Sequence, residues 1–232
     1  LNCRQLVGVC TGDFRYWGYE AYDMPIFTYN LGVGEGFYIG VSCQHCEIDS
    51  ELVLVIGDLH IPERKYYIHP AFKALLAPGK IQHVLCTGNL CSQSVYDQLK
   101  CICADVHVVK GEFDELPFPE TKILTVGRYK IGLTHGHQVV PWGDRESLAM
   151  LRRQLNVSIL ISGHTHIPEA YEYDGGIFLN PGSATGAFSP LKASPQPTFM
   201  LLDIQESSVN LYTYRLVGDE HKVDRMEFPS AA

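Results

Sequence analysis

From residue 52 onward the chain is built of short apolar runs, each closed by glycine and then by polar residues. The first, Leu52-Val53-Leu54-Val55-Ile56, lacks polar alternation and ends in Gly57-Asp58-Leu59-His60, the pattern of a strand buried on both faces of a parallel sheet. Pro70 to Ala77 then places Phe72, Leu75 and Leu76 on one helical face, with Pro70 in the first turn and Pro78-Gly79 as the stop. Ile81 to Thr87 is the second expected strand, closing on Gly88-Asn89. Ser92 is placed to cap a helix that carries Val95, Leu99 and Ile102 at i, i+4 and i+7. Asp105 to Lys110 forms the third strand and ends in Gly111-Glu112-Phe113-Asp114. Strand, helix, strand, helix, strand predicts a parallel sheet with right-handed crossovers.

The second half changes character. Lys122 to Val126 and Tyr129 to Thr134 read as a hairpin turning at Gly127-Arg128 and running into His135-Gly136-His137. A helix opened by Asp144 carries Leu148, Leu151 and Leu155 on its buried face, and Val157 to Ser162 is a further buried strand closing on Gly163-His164-Thr165-His166. What remains is β: 170–173, 177–180, 198–204, 209–217 and 222–228, separated by Pro/Gly-rich loops. This order fits an α/β four-layer sandwich, two mixed sheets packed face to face and flanked by helices. Residues 1–51 differ in kind, holding no lysine and scattering aromatics and glycines without a period of 3.6 or 2. They are expected to form a poorly ordered N-terminal extension outside the fold of 52–232. Within them Cys43-Gln44-His45-Cys46 has zinc-knuckle spacing, but no second Cys/His pair lies near enough to complete four ligands.

Composition narrows the partners. A formal net charge of −8 argues against nonspecific nucleic-acid binding and against a polybasic membrane patch. No apolar run approaches the roughly 20 residues that span a bilayer, and no basic segment followed by an apolar core marks a signal peptide. The expectation is a cytoplasmic chain that meets membranes only through a partner. Of eight cysteines, Cys86, Cys91, Cys101 and Cys103 lie in or beside expected strands and helices and are read as reduced thiols.

The chemistry lies at the strand ends. Five of them in succession deliver residues able to hold a divalent cation: Asp58 and His60, Asn89, Glu112, His135, then His164 and His166. Open α/β sheets build their sites at the carboxyl ends of strands, where the loops converge. Asp58 and His60, two apart, would point the same way from extended backbone. Oxygen and imidazole donors together suit zinc, manganese or magnesium, with room for up to two ions. His69, His83, His107 and His221 fall outside the pattern and are expected to be structural or solvated.

This order resembles the calcineurin-like metallophosphoesterase superfamily, whose signature runs Asp-x-His, Gly-Asp, Gly-Asn-His/Asp, a His before Gly, and Gly-His-x-His. The resemblance covers essentially all of 52–232. It implies a two-metal centre that polarises a phosphate and activates a bridging water, with Asp58, His60 and His166 on one ion and Glu112, His135 and His164 on the other. Asn89 stands where an aspartate normally bridges both ions, removing one negative charge. Glu112 replaces the usual Asn. Phe113 stands where active members commonly supply a histidine, and a phenyl ring cannot donate a proton, so no catalytic residue is expected.

The wording Gly57-Asp58-Leu59-His60-Ile61-Pro62, Gly111-Glu112-Phe113-Asp114-Glu115 and His135-Gly136-His137-Gln138-Val139-Val140-Pro141-Trp142 is similar to one branch of that superfamily. The branch comprises the small metallophosphoesterase-like subunits of retromer, the endosomal cargo-recycling complex. It implies a scaffold whose cage face docks on the long helical-solenoid subunit, with a separate apolar surface for regulators. The setting it implies is endosome-to-Golgi and endosome-to-plasma-membrane transport, the chain being peripheral on endosomal membranes through the complex. Val140 and Trp142, just after His135, are the candidate partner contacts, and Leu201 is a candidate for the regulator surface. The alternative is an active divalent-metal-dependent phosphoesterase on a phosphopeptide or small phosphodiester, resting on the intact His135, His164 and His166.

Overall fold

In the computed structural model, which describes residues 50–229, each run marked from residue 52 onward forms the expected element, with some ends shorter and others longer than expected. The order is β1 (Glu51–Ile56), α1 (Pro70–Leu75), β2 (His83–Cys86), α2 (Gln93–Ile102) and β3 (Val106–Val108). After these come β4 (Thr121–Val126), β5 (Tyr129–Thr134), α3 (Arg145–Leu155), β6 (Ile159–Ile161), β7 (Glu169–Tyr173) and β8 (Gly176–Asn180). The chain then returns through β9 (Thr198–Ile204), β10 (Ser208–Val217) and β11 (Glu220–Pro229). The expectations placed on the extension and on Cys43, His45 and Cys46 lie outside the described residues.

Six strands form one sheet in the order β11-β10-β9-β1-β2-β3, and five form the other in the order β4-β5-β6-β8-β7. Both are mixed. β1, β2 and β3 run parallel, while β9 returns antiparallel beside β1. In the second sheet β5, β6 and β8 are parallel, flanked by antiparallel β4 and β7.

Side chains alternate across a strand, and here both faces find a layer. Val53, Val55 and Leu85 meet Ile131, Leu133, Ile159 and Ile161 in the core between the sheets. Leu54, Ile56, Val84 and Cys86 point the other way, onto Phe72 of α1 and onto Val95 and Leu99 of α2. Leu148 and Ala149 of α3 cover Leu160 and Phe178 on the outer face of the second sheet. Helix, sheet, sheet, helix is the result. Each buried aliphatic or aromatic side chain contributes about 1.5–3 kcal/mol, which explains why β6 and β1 from Leu52 to Ile56 carry no polar residue.

The helix ends agree with the sequence in one case and differ in another. Asp144 caps α3 by accepting from the Ser147 amide at 2.9 Å, and Asn156 closes it in the left-handed region at φ 51°. Ser92 holds the cap position of α2, yet its hydroxyl goes to Ser94 at 3.2 Å and bonds no helix amide. The four described cysteines are free thiols. Among the described residues no helix is long and apolar enough to cross a membrane.

Candidate metal centre

The loops leaving β1, β2, β3, β5 and β6 bring all seven expected ligand residues to one end of the sandwich. Asp58, His60 and His166 form one group and Glu112, His135 and His164 another, with Asn89 between them. The backbone does not deliver them as expected. Asp58 (φ 50°) and His60 (φ 48°) are in the left-handed region, so extended backbone is not what aims them. Asn89 (φ 54°), His164 (φ 69°) and His166 (φ 58°) share that conformation. It costs such residues about 1–3 kcal/mol each, and loop packing has to hold it in place.

That packing is visible atom by atom. The Asp58 amide donates to Gly88 O and the His60 amide to Asn89 O, which zips the first loop to the second. Ser183 Oγ donates to Asp58 O at 2.7 Å and Thr185 Oγ1 to Leu59 O at 2.8 Å, fastening the same loop from the β8–β9 side. His135 donates from Nδ1 to Thr87 O at 2.6 Å, and His166 from Nδ1 to Ala187 O at 2.7 Å. Both rings therefore turn Nε2 inward, the outer-shell arrangement that orients metal-binding histidines.

Inside, the spacing fits an ion. His60 Nε2 and His166 Nε2 stand 3.3 Å apart, and His166 Nε2 is 3.5 Å from Asp58 Oδ1. Bonds of about 2.0–2.1 Å in a tetrahedral zinc site put ligands roughly 3.3 Å from one another. In the second group His135 Nε2 lies 2.8 Å and His164 Nδ1 3.2 Å from the two Glu112 oxygens. Burial alone would lift the Asp58 and Glu112 carboxyls, but the rings facing them outweigh it and hold both well below the usual carboxylate range. Burial pushes His60 down to about 4, a neutral ring ready to coordinate. Burial also works against charge on His135 and His166, yet Glu112 and Asp58 raise those two rings.

Asn89 occupies the bridging place with its amide reversed. Its oxygen accepts from the Phe113 amide at 3.1 Å, so its NH2 faces Asp58 Oδ1 at 3.4 Å and His135 Nε2 at 3.1 Å. As an oxygen ligand it would have to turn and release Phe113. The Phe113 ring stands edge-on to His60, centroids 5.3 Å apart, under the Arg64 guanidinium at 4.6 Å. Val140 is 75% exposed, and Trp142, 43% exposed, lays its ring edge-on against His164 at 4.5 Å. Leu201 is half-buried and packs on the α1–α2 side of the first sheet.

Two residues of this site were not singled out from the sequence. His137 brings its ring to 5.3 Å from that of His135, and its Nδ1 to 4.0 Å from Glu112. The His-Gly-His spelling was the available signal. Asp114 is buried and accepts three backbone amides, those of Asn89 (2.7 Å), Gly111 (3.0 Å) and Cys91 (3.0 Å). It sets the two loops that carry Asn89 and Glu112. Replacing Asp114 by Asn turns one acceptor into a donor facing these amides. Zinc affinity is expected to fall about 10–100-fold, read by competition with a chromophoric chelator; an unchanged affinity would show that the loops are held by something else.

Comparison with known proteins identifies the family. A model of the calcineurin-like phosphoesterase superfamily domain matches residues 52–207. Vacuolar protein sorting-associated protein 29 of Schizosaccharomyces pombe is 46% identical over 182 residues, spanning 76% of this chain and 97% of that one. The crystal structure of wild-type Vps29 from Entamoeba histolytica complexed with zinc is 55% identical, with a TM-score of 0.73 over 76% of this chain and 98% of that chain. Vps29 from Cryptosporidium parvum is 43% identical, with a TM-score of 0.75 over 78% and 99% of the two chains. With the cage, the two mixed sheets and these relatives in agreement, the chain belongs to the Vps29 family of the calcineurin-like phosphoesterase superfamily.

Proposed function

We propose that the chain is a scaffold subunit of retromer. In this reading the cage face docks on a helical-solenoid subunit and the phosphoesterase fold is kept without efficient catalysis. Phe113 is the observation that carries the reading. A hydrocarbon ring rests against His60 in the place from which a leaving group would be protonated, and Arg64 caps that ring instead of an open phosphate path. Two divalent ions held by Asp58, His60, His166, Glu112, His135 and His164 would polarise a phosphate and lower the pKa of bound water. The residues themselves give the cage shape, positive charge once loaded, and an apolar rim of Val140 and Trp142. Zinc is the first candidate ion, because four imidazoles outnumber the two carboxylates. Endosome-to-Golgi and endosome-to-plasma-membrane traffic is the proposed setting, with membrane contact through the assembled complex.

Affinity capture with the full chain, followed by identification of bound proteins, tests this. A long α-solenoid partner is expected, and recovery of the chain alone overturns the reading.

A second reading is hydrolysis of a phosphopeptide or small phosphodiester. His137 favours it, since an imidazole at the cage is able to move a proton. On that reading, zinc- or manganese-dependent turnover is expected to disappear in His166→Ala and to rise about 10²–10⁴-fold in Phe113→His. No turnover above the metal-only blank in any of the three proteins removes it.

A further inference from the structure

We propose that His83, Asp105 and His107, backed by Glu51, form a second divalent-metal site of zinc type, at the opposite end of the first sheet from the cage. The fold brings these residues together by strand alternation. Val53, Leu85 and Val109 face the core between the sheets. Stepping back by two residues along each segment reaches Glu51, His83, His107 and then Asp105, all on that same face but at the amino ends of the strands. His107 is the register partner of Leu85, and the Val84 amide bonds Asp105 O, so β2 and β3 hold the three donors side by side.

The donor atoms converge within 4.8 Å of one another. Asp105 Oδ2 is approached by two imidazoles at once, His83 Nδ1 at 2.5 Å and His107 Nε2 at 3.1 Å. A single cation would replace these two hydrogen bonds once the rings draw back to the roughly 3.3 Å that separates ligands of one zinc ion. The far nitrogen of His83 meets Glu51 Oε2 at 3.0 Å, the carboxylate–histidine–metal relay that fixes ring orientation in zinc sites. Glu51 is itself held, because its other oxygen accepts from the Gly127 amide at 3.2 Å in the β4–β5 turn. Asp105 is half exposed, leaving solvent an approach and a water the fourth position.

Two imidazoles and one carboxylate suit zinc and disfavour magnesium, which demands an oxygen octahedron. Two features weaken the site relative to a closed structural one. Lys122 of β4 lies close enough to bear on His107, and His107 Nδ1 is buried without a partner, so it would carry an unpaired proton once Nε2 coordinates. An ion here would clamp the starts of β1, β2 and the three-residue edge strand β3, a structural role distinct from anything the cage does.

The test uses the full chain equilibrated with zinc alone, in buffer of fixed micromolar free zinc. His107→Gln and Asp105→Asn should each lower bound zinc by about one ion per chain, and that loss should add to the loss caused by His135→Gln in the cage. Zinc content unchanged in both variants overturns the proposal. Diffraction at the zinc edge from the unmodified chain gives an answer that does not depend on how the variants fold. An anomalous peak among His83, Asp105 and His107 supports the site, and peaks confined to the cage overturn it.

Discussion

Val140→Asp is expected to weaken binding of the proposed helical-solenoid partner by at least about 30-fold, the equivalent of about 2 kcal/mol at an interface hot spot. Val140 is 75% exposed in the described fold, so the variant should fold and melt like the parent. What changes is the partner complex, where an unpaired carboxylate would sit against an apolar patch with nothing to replace its hydration. Trp142→Ala should act in the same direction but less cleanly, because that ring also supports His164. Leu201→Asp should leave capture of the solenoid subunit intact, since Leu201 lies on the helix side of the first sheet. Titration calorimetry with the isolated solenoid subunit reads all three. Parental affinity in a well-folded Val140→Asp would remove the cage rim from the docking face.

Gly88→Ala should be strongly destabilising, because the added methyl has nowhere to go. Gly88 has φ +100°, and a Cβ there would stand 2.6 Å from Val109 O and 2.7 Å from Gly111 N. Both neighbours are backbone atoms of the segment leaving β3, so relief requires parting the loops that carry Asn89 and Glu112. Strain and clash together are expected to cost at least about 3 kcal/mol, or roughly 6–12 °C in Tm at a few degrees per kcal/mol for a domain of this size. Cage zinc should be lost with it. Gly175→Ala is the control, with φ +67° and nothing within 4 Å of the added carbon, so it carries the backbone strain alone. Equal losses in the two variants, by thermal melts at matched zinc, would sink the steric argument.

Strands were legible because each apolar run serves two layers at once, and a run with no polar break has few alternatives. The cage was legible for a related reason: a parallel sheet sends every strand end to one lip, so ligand-type residues after successive runs must meet. Less was legible where contacts join residues that share no local pattern. Nothing in the spelling of Asp114 tells that it gathers amides from residues 89, 91 and 111. His83 and His107, expected to be structural or solvated, meet on Asp105, and the sequence did not show it because strand register rather than sequence spacing pairs them. Asp-x-His after Gly57 looked like extended backbone, and only the packing of four loops shows why both residues turn left-handed. Leu201 follows the same logic. Alternation gives Leu202 to the core between the sheets and leaves Leu201 half covered on the other face.

Five of the seven candidate ligands adopt a conformation that asparagine tolerates better than most L-residues. Anyone wishing to silence the cage while preserving its outline should therefore choose asparagine at Asp58, His60 or His166 in preference to alanine. Such a variant would keep the loop contour and discard the affinity for ions, separating what a partner feels as topography from what it feels as charge. Asn89 already shows, within this chain, how the outline survives that exchange.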